Sequence, residues 1–404
     1  MRDAGGLRRD AGSDRLERVA VPGAVVDHFL EPDSIEAARE IIEEAGRAGR
    51  SLLIAGGGTR LHWANPARPL AFGLSTRGLH GIDELEPEEG VLHAAAGTPV
   101  AEVRAAARAE GWELPLDAPG AGSTIGGVIA TAVQGPRANA FGRVSDAVLG
   151  LDVVGADGVP SRCGGRVVKN VTGYDLAKLY CGSFGSLALI TGAWLRLRPR
   201  PAVQRAFTAE MPARTAELEA CRALASRGSV RAMVWSAGGR GADGDEARLH
   251  VELGGHEAEV DHDRALLAER FALEEVACER IDALRDARAE GQEGTVALRA
   301  RVPGDRCAEL VDEARAAGLR VEVEPALGVL HGRGRLESAA ALRSLRERAE
   351  ALGGVATVER MPASWSGELD VFGDAGAARA LMAGIKRRFD PQDLFNPGRY
   401  VSGL

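Results

Sequence analysis

The sequence predicts an α+β protein built in two parts. Three observations carry this expectation. A glycine-rich but apolar run at 117–151 follows a helix, strand and glycine turn near the N-terminus. Pro199 and Pro201 then stop an alternating strand, which marks a domain edge. Beyond them, helical patterns rich in Ala, Arg and Glu alternate with short strands over 202–345, the texture of an α+β cap.

Length and composition bound the rest. A chain of 404 residues has two domains as its prior expectation. Its net charge of −8 argues against a nucleic-acid-binding surface. No apolar run approaches the ~20 residues needed to cross a bilayer. Residues 1–20 are charged and lack an apolar core, so they read as a disordered leader, not a signal peptide, and a cytoplasmic location is the default. The five cysteines lie far apart with no C-x-x-C pair, a spacing that supports neither disulfides nor a zinc or iron–sulfur site.

In chain order, Asp33 with Glu36 resembles a capping box opening a helix up to Gly46. Ser51–Ala55 is a short apolar strand running into Gly56-Gly57-Gly58-Thr59-Arg60. Such a turn can present consecutive N–H groups, with the Thr59 hydroxyl, to a phosphate; it can equally be a plain turn. Residues 78–85 look like a turn leading into a strand at 91–96, and Thr98-Pro99 starts a helix over Val100 to Glu110. His80 and His93 have no second ligand at metal spacing.

The run 117–151 holds seven glycines and two prolines. That is too many for a regular helix, where each Gly costs ~1 kcal/mol against Ala. Its recurring Ile and Val residues separate it from a polar linker and favour a backbone cradle for a phosphate. A Rossmann fingerprint fails because Ile125 stands where the third glycine belongs, and no Gly-Lys-Ser/Thr makes a Walker loop. Residues 147–158 form a strand closed by an Asp-Gly hairpin turn, and 193–198 form the alternating strand before the prolines.

Taken together, the turn at 56–60, STIGGVIAT at 123–131, VLGLDVVGADG at 148–158, VVKNVTGYDLAKLYCGSFGSLALIT at 167–191 and FDPQDLFNPGRY at 389–400 resemble the FAD-binding oxidases of the vanillyl-alcohol oxidase type. Gly135-Pro-Arg137 and Val168-Lys-Asn170 are most similar to the smaller of the FAD-binding subunits of bacterial glycolate oxidase (glycolate dehydrogenase). The resemblance implies a two-subdomain PCMH-type FAD-binding domain at 21–201, an α+β cap at 202–345 and a C-terminal segment at 346–404 returning to the FAD domain. It assigns FAD binding to Gly56, Gly57, Gly58, Thr59 and Arg60 in the first turn. In the cradle it assigns Pro119, Gly122, Ser123, Thr124, Gly126, Gly127, Ala130 and Thr131, followed by Ser145, Asp146 and Ile190. Lys169, Asn170 and Tyr174 either brace the subdomains or approach the flavin ring. Three residues separate His62 from Gly58, so FAD is expected to be held without a covalent bond.

The catalytic relatives carry a metal-binding H-x-G-D-G-N-x-H signature late in the cap, and the matching stretch is His331-Gly-Arg333-Gly-Arg335-Leu336. One His is left and the acid is replaced, so no metal site is expected, and His331 and Arg333 stand as the catalytic candidates. Arg333 and Arg335 can bind a carboxylate or be exposed loop charges. The resemblance implies a subunit of a complex that oxidises glycolate or another small 2-hydroxyacid. Its partners would be a larger FAD-binding subunit and an iron–sulfur subunit, with any membrane association running through them. An independent FAD-linked oxidase and a flavin-holding electron-transfer subunit are the alternatives.

Overall fold

The computed structural model describes residues 18–166, 174–239 and 246–404. Two glycine-turn-bearing sheets and one large sheet organise them. Near the N-terminus, Phe29–Leu30, Phe72–Ser75 and Leu52–Ala55 form a parallel sheet with Phe72–Ser75 in the middle. The helix Ile35–Arg47 packs Ala38, Ile41, Ile42 and Ala45 against it, in a core shared with Leu52, Leu74 and Phe395. Its cap is Ser34, whose extended backbone lets Oγ accept from Ala37 N at 3.3 Å; the expected Asp33 lies one residue too early.

The second sheet is antiparallel, in the order Pro160–Gly164, Val148–Val154, Leu189–Arg196, Val91–Ala95 and Ile82–Glu86. The Asp-Gly hairpin forms, with Gly158 at φ +76° and Val159 N donating to Asp157 Oδ1 at 3.0 Å. Residues 82–86, expected to be part of a turn, are instead its edge strand.

The glycine run also departs from expectation: Ile125–Thr131 is a helix. Propensity is overridden by packing, because a Cβ on Gly126 would stand 2.8 Å from the Ala96 Cβ. Removing the side chain lets the helix lie directly on the sheet, with Gly126 N donating to Ala96 O at 2.8 Å.

The third sheet has eight antiparallel strands: Glu274–Val276, Val203–Pro212, Glu246–Gly255, Val230–Ala237, Arg320–Glu324, Val329–Gly334, Val296–Arg301 and Val355–Arg360 in spatial order. Alternation along Val203–Pro212 sends Phe207, Ala209 and Met211 into one core with Trp235, and Ala206 to the opposite face. The helices Thr215–Leu224, Glu257–Ala268, Cys307–Ala316 and Ala339–Ala351 cover the first face. The sheet runs past residue 345, since its last strand is Val355–Arg360. The whole is an α+β fold in which only the small N-terminal sheet is parallel.

Arg137 locks the cradle to the large sheet. Its guanidinium donates to Glu252 at 2.7, 2.9 and 3.1 Å, to Asp282 at 2.7 Å and to Asp117 at 3.2 Å. The tail closes over the opposite side. Leu52 N donates to Leu394 O at 2.9 Å and Asn396 N to Leu52 O at 3.0 Å, so the tail extends the edge of the parallel sheet.

Candidate functional site

The strand Leu52–Ala55 is buried and leads without a break into Gly56–Arg60, placing that turn at the C-terminal end of the parallel sheet. Gly58 takes φ +76°, and Arg77 Nη2 holds the Gly57 carbonyl at 3.1 Å. The second turn, 120–124, presses against the first. A Cβ on Gly57 would meet Gly122 O at 1.7 Å and one on Gly56 would meet Thr124 Oγ1 at 2.3 Å, so neither position accepts a side chain. Thr124 caps the following helix through Gly127 N at 3.4 Å.

A third turn completes the enclosure. Phe184 and Gly185 both have positive φ, and Asn396 stitches them to the first strand: its Nδ2 donates to Phe184 O at 2.6 Å while its Oδ1 accepts from Ile54 N at 2.7 Å. The three turns surround a cavity that opens to solvent.

This cavity brings together Gly56, Gly57, Gly58, Thr59, Arg60, Thr124, Gly126, Gly127, Ala130, Thr131 and Ile190. Pro119, Gly122 and Ser123 stand behind it. Arg60 donates to Thr59 Oγ1 at 3.0 Å, to Ser123 Oγ at 3.1 Å and to Pro119 O, which fixes its head at the cavity edge. Gly122 supplies the close backbone approach to Gly57. Ser145 and Asp146 line a different cavity, together with His331 and Glu324. Lys169 and Asn170 lie outside the described residues, and Tyr174 is fully exposed.

Among the cavity residues that went unrecognised in the sequence are Asn396 and Arg399, both in the tail that was expected to cover the domain. Arg399 is buried, and Nη2 donates to Leu61 O at 2.6 Å, whereas Nη1 has no partner. Burial pushes its pKa down to about 10, and Arg60 falls to about 10 for the same reason, partly offset by Glu359.

His331 and Arg333 are not in a loop and do not line the glycine cavity. Both sit on the strand Val329–Gly334. His331 is buried 3.6 Å from Glu324, whose carboxylate accepts from Arg288 at 2.5 Å. Burial, then the Arg288 charge, holds this imidazole below its ordinary pKa. Arg333 donates to Ala287 O at 2.5 Å and faces Glu322 at 3.7 Å, so it is a half-buried paired group; Arg335 alone is the exposed charge that was expected. Among the described residues no group of three or more His, Cys, Asp or Glu is placed to hold a metal.

Residues 26–164 match the family described as FAD binding domain. The chain carries an FAD binding domain. It is 35% identical over 173 residues to glycolate oxidase subunit GlcE of Escherichia coli (strain K12), a match covering 42% of this chain and 49% of that protein. It is also 33% identical over 171 residues to D-lactate dehydrogenase of Archaeoglobus fulgidus, covering 42% and 38%. The matches therefore span about half or less of these relatives. Among solved structures, an alkyldihydroxyacetonephosphate synthase superposes with a TM-score of 0.70 at 14% identity, covering 93% of this chain and 78% of that one, which shows the shared fold.

The residues present fit FAD. The N–H groups of Gly57, Gly58 and Thr59 make no backbone hydrogen bond among the described residues, and the Arg60 guanidinium is fixed beside them. Consecutive N–H groups beside guanidinium charge suit a diphosphate.

Proposed function

We propose that this FAD binding domain belongs to a subunit of a glycolate-oxidase-like complex, in which glycolate or a related 2-hydroxyacid is oxidised to the 2-oxoacid. The observation that carries the reading is the cavity made by three turns and the tail, in a chain that is 35% identical over 173 residues to subunit GlcE. Bound FAD would supply the two-electron acceptor. The turns Gly56–Arg60 and 120–127 would hold its diphosphate, without a covalent bond, and Asn396 would keep the first and third turns in register. Ile190, at the other wall, would lie against the remainder of the cofactor.

Oxidation also needs a base for the hydroxyl proton close to the reacting carbon. His331 is engaged by the Glu324–Arg288 pair and lines a different cavity from the glycine turns. That arrangement favours a subunit acting with partners over an independent oxidase. We assign the partner roles to a larger FAD-binding subunit and an iron–sulfur subunit, since this chain's five cysteines are free and scattered.

The experiment is purification of the chain alone and with its partners. A flavin spectrum, with the yellow colour released into the supernatant on acid precipitation, is expected from both. Anaerobic glycolate should reduce the flavin of the assembly faster. Colour retained in the pellet would refute non-covalent binding. Equal turnover of glycolate with an artificial acceptor by the isolated chain would refute the need for partners.

A further inference from the structure

Four basic groups meet where the first turn, the tail and the last strand of the large sheet converge. Arg360, at the end of the strand Val355–Arg360, donates from Nη2 to His62 Nε2 at 3.2 Å. Arg60 and Arg399 are close enough to depress His62 electrostatically, together with Arg360 and after burial itself. Acidic compensation is sparse. Burial alone lowers both Arg360 and Arg399, with no carboxylate opposing it. Glu359 acts on Arg60 but is already paired with Arg299 at 3.2 Å.

A buried cation without a counter-charge is costly, and the cost is offset when an anion arrives with hydrogen-bonding oxygens. Arg399 is 4% exposed, and its Nη1 is the buried donor left over after Nη2 satisfies Leu61 O. Arg60 has its donors committed to Thr59, Ser123 and Pro119, so it contributes charge more than bonds. Arg360 comes from the large sheet and does not line the glycine cavity, whereas Arg60 and Arg399 do, so an anion reached by both Arg360 and Arg399 sits at the edge of that cavity.

We propose that this corner binds the carboxylate of a small organic acid, with Arg399 and Arg360 as the groups that grip it and Arg60 as a fixed supporting charge. The proposal rests on the FAD-linked hydroxyacid reading above, and names the residues of this chain that would select an acid over a neutral alcohol. His62 donates no charge here: its Nε2 lone pair accepts from Arg360, so the imidazole is neutral and orients that guanidinium. The second source of the same anionic chemistry is the diphosphate of FAD itself.

The test uses the full chain as purified and oxalate, a dicarboxylate with no oxidisable C–H, followed by calorimetry and by flavin absorbance. Saturable binding is expected in the wild type. Arg360→Gln should weaken it about 10- to 100-fold, the loss of one charge-assisted contact, while leaving FAD content unchanged. Arg360→Lys should fall between the two, and serves if the Gln variant misfolds. Absence of oxalate binding in the wild type, or wild-type affinity in both Arg360→Gln and Arg399→Gln, overturns the proposal. So does loss of FAD from both variants with oxalate affinity preserved, since the corner would then serve the diphosphate. Should the chain hold no FAD, the hydroxyacid reading fails separately, and calorimetry on the same variants still decides the corner.

Discussion

Arg137→Ala tests whether the cradle and the large sheet depend on one buried cation. Arg137 is 7% exposed, its partners Glu252 and Asp117 are 0% and 1% exposed, and all five of its side-chain contacts to acids are lost together. Breaking a buried pair by removing one partner costs about 3–5 kcal/mol, because the other charge is left uncompensated. Here some compensation survives: Arg231 Nε stays 3.2 Å from Glu252 and Arg285 Nη1 stays 3.2 Å from Asp117. The expected loss is therefore at the low end, about 3 kcal/mol. Urea unfolding followed by tryptophan fluorescence reads it, since Trp235 lies in the core of the large sheet. Arg137→Met with Glu252→Met should be less destabilised than Arg137→Ala alone, since the orphaned carboxylate is gone. A loss below about 1 kcal/mol for the single variant, or a double variant worse than the single, would refute the reasoning.

Gly127→Glu should abolish flavin binding by placing bulk and negative charge in the cavity, whereas Gly127→Ala meets only Thr124 Oγ1 at 3.1 Å and should keep the fold; the ratio of flavin to protein absorbance separates them. Gly57→Ala should fail where Gly127→Ala succeeds, because its Cβ meets backbone at 1.7 Å; soluble, yellow protein from Gly57→Ala would contradict the contact between the two turns. His62 titrates near 4 in the fold against 6.5 when free, so the unfolded chain binds the extra proton between those values. Stability should fall as pH drops from 6.5 towards 4, by on the order of 2–3 kcal/mol from this group, and His62→Gln should flatten that part of the profile. An unchanged profile in urea titrations at pH 4.5 and 7 would show that burial does not keep this imidazole neutral.

What could be read in the sequence divides along a physical line. Elements set by local pattern came through: the apolar strand before Gly56 and the Asp-Gly hairpin stand close to where their spacing put them. The helix at 125–131 was obscured because propensity counts glycines one residue at a time. Gly126 is required by Ala96, a contact between segments that no local window contains, although Thr124 as an N-cap was a usable signal. The first turn and most of the cradle were legible because close backbone approach demands glycine, and glycine is visible in sequence. Arginine carries no such signature. Arg137, Arg333 and Arg399 differ in burial and partners through residues far away, and Arg360 meets His62 across 298 positions. The tail illustrates the distinction best. Its Asn-Pro-Gly-Arg motif stood out, yet only the fold reveals that Asn396 spans two turns with one amide while Arg399 turns a buried guanidinium towards the cavity they enclose.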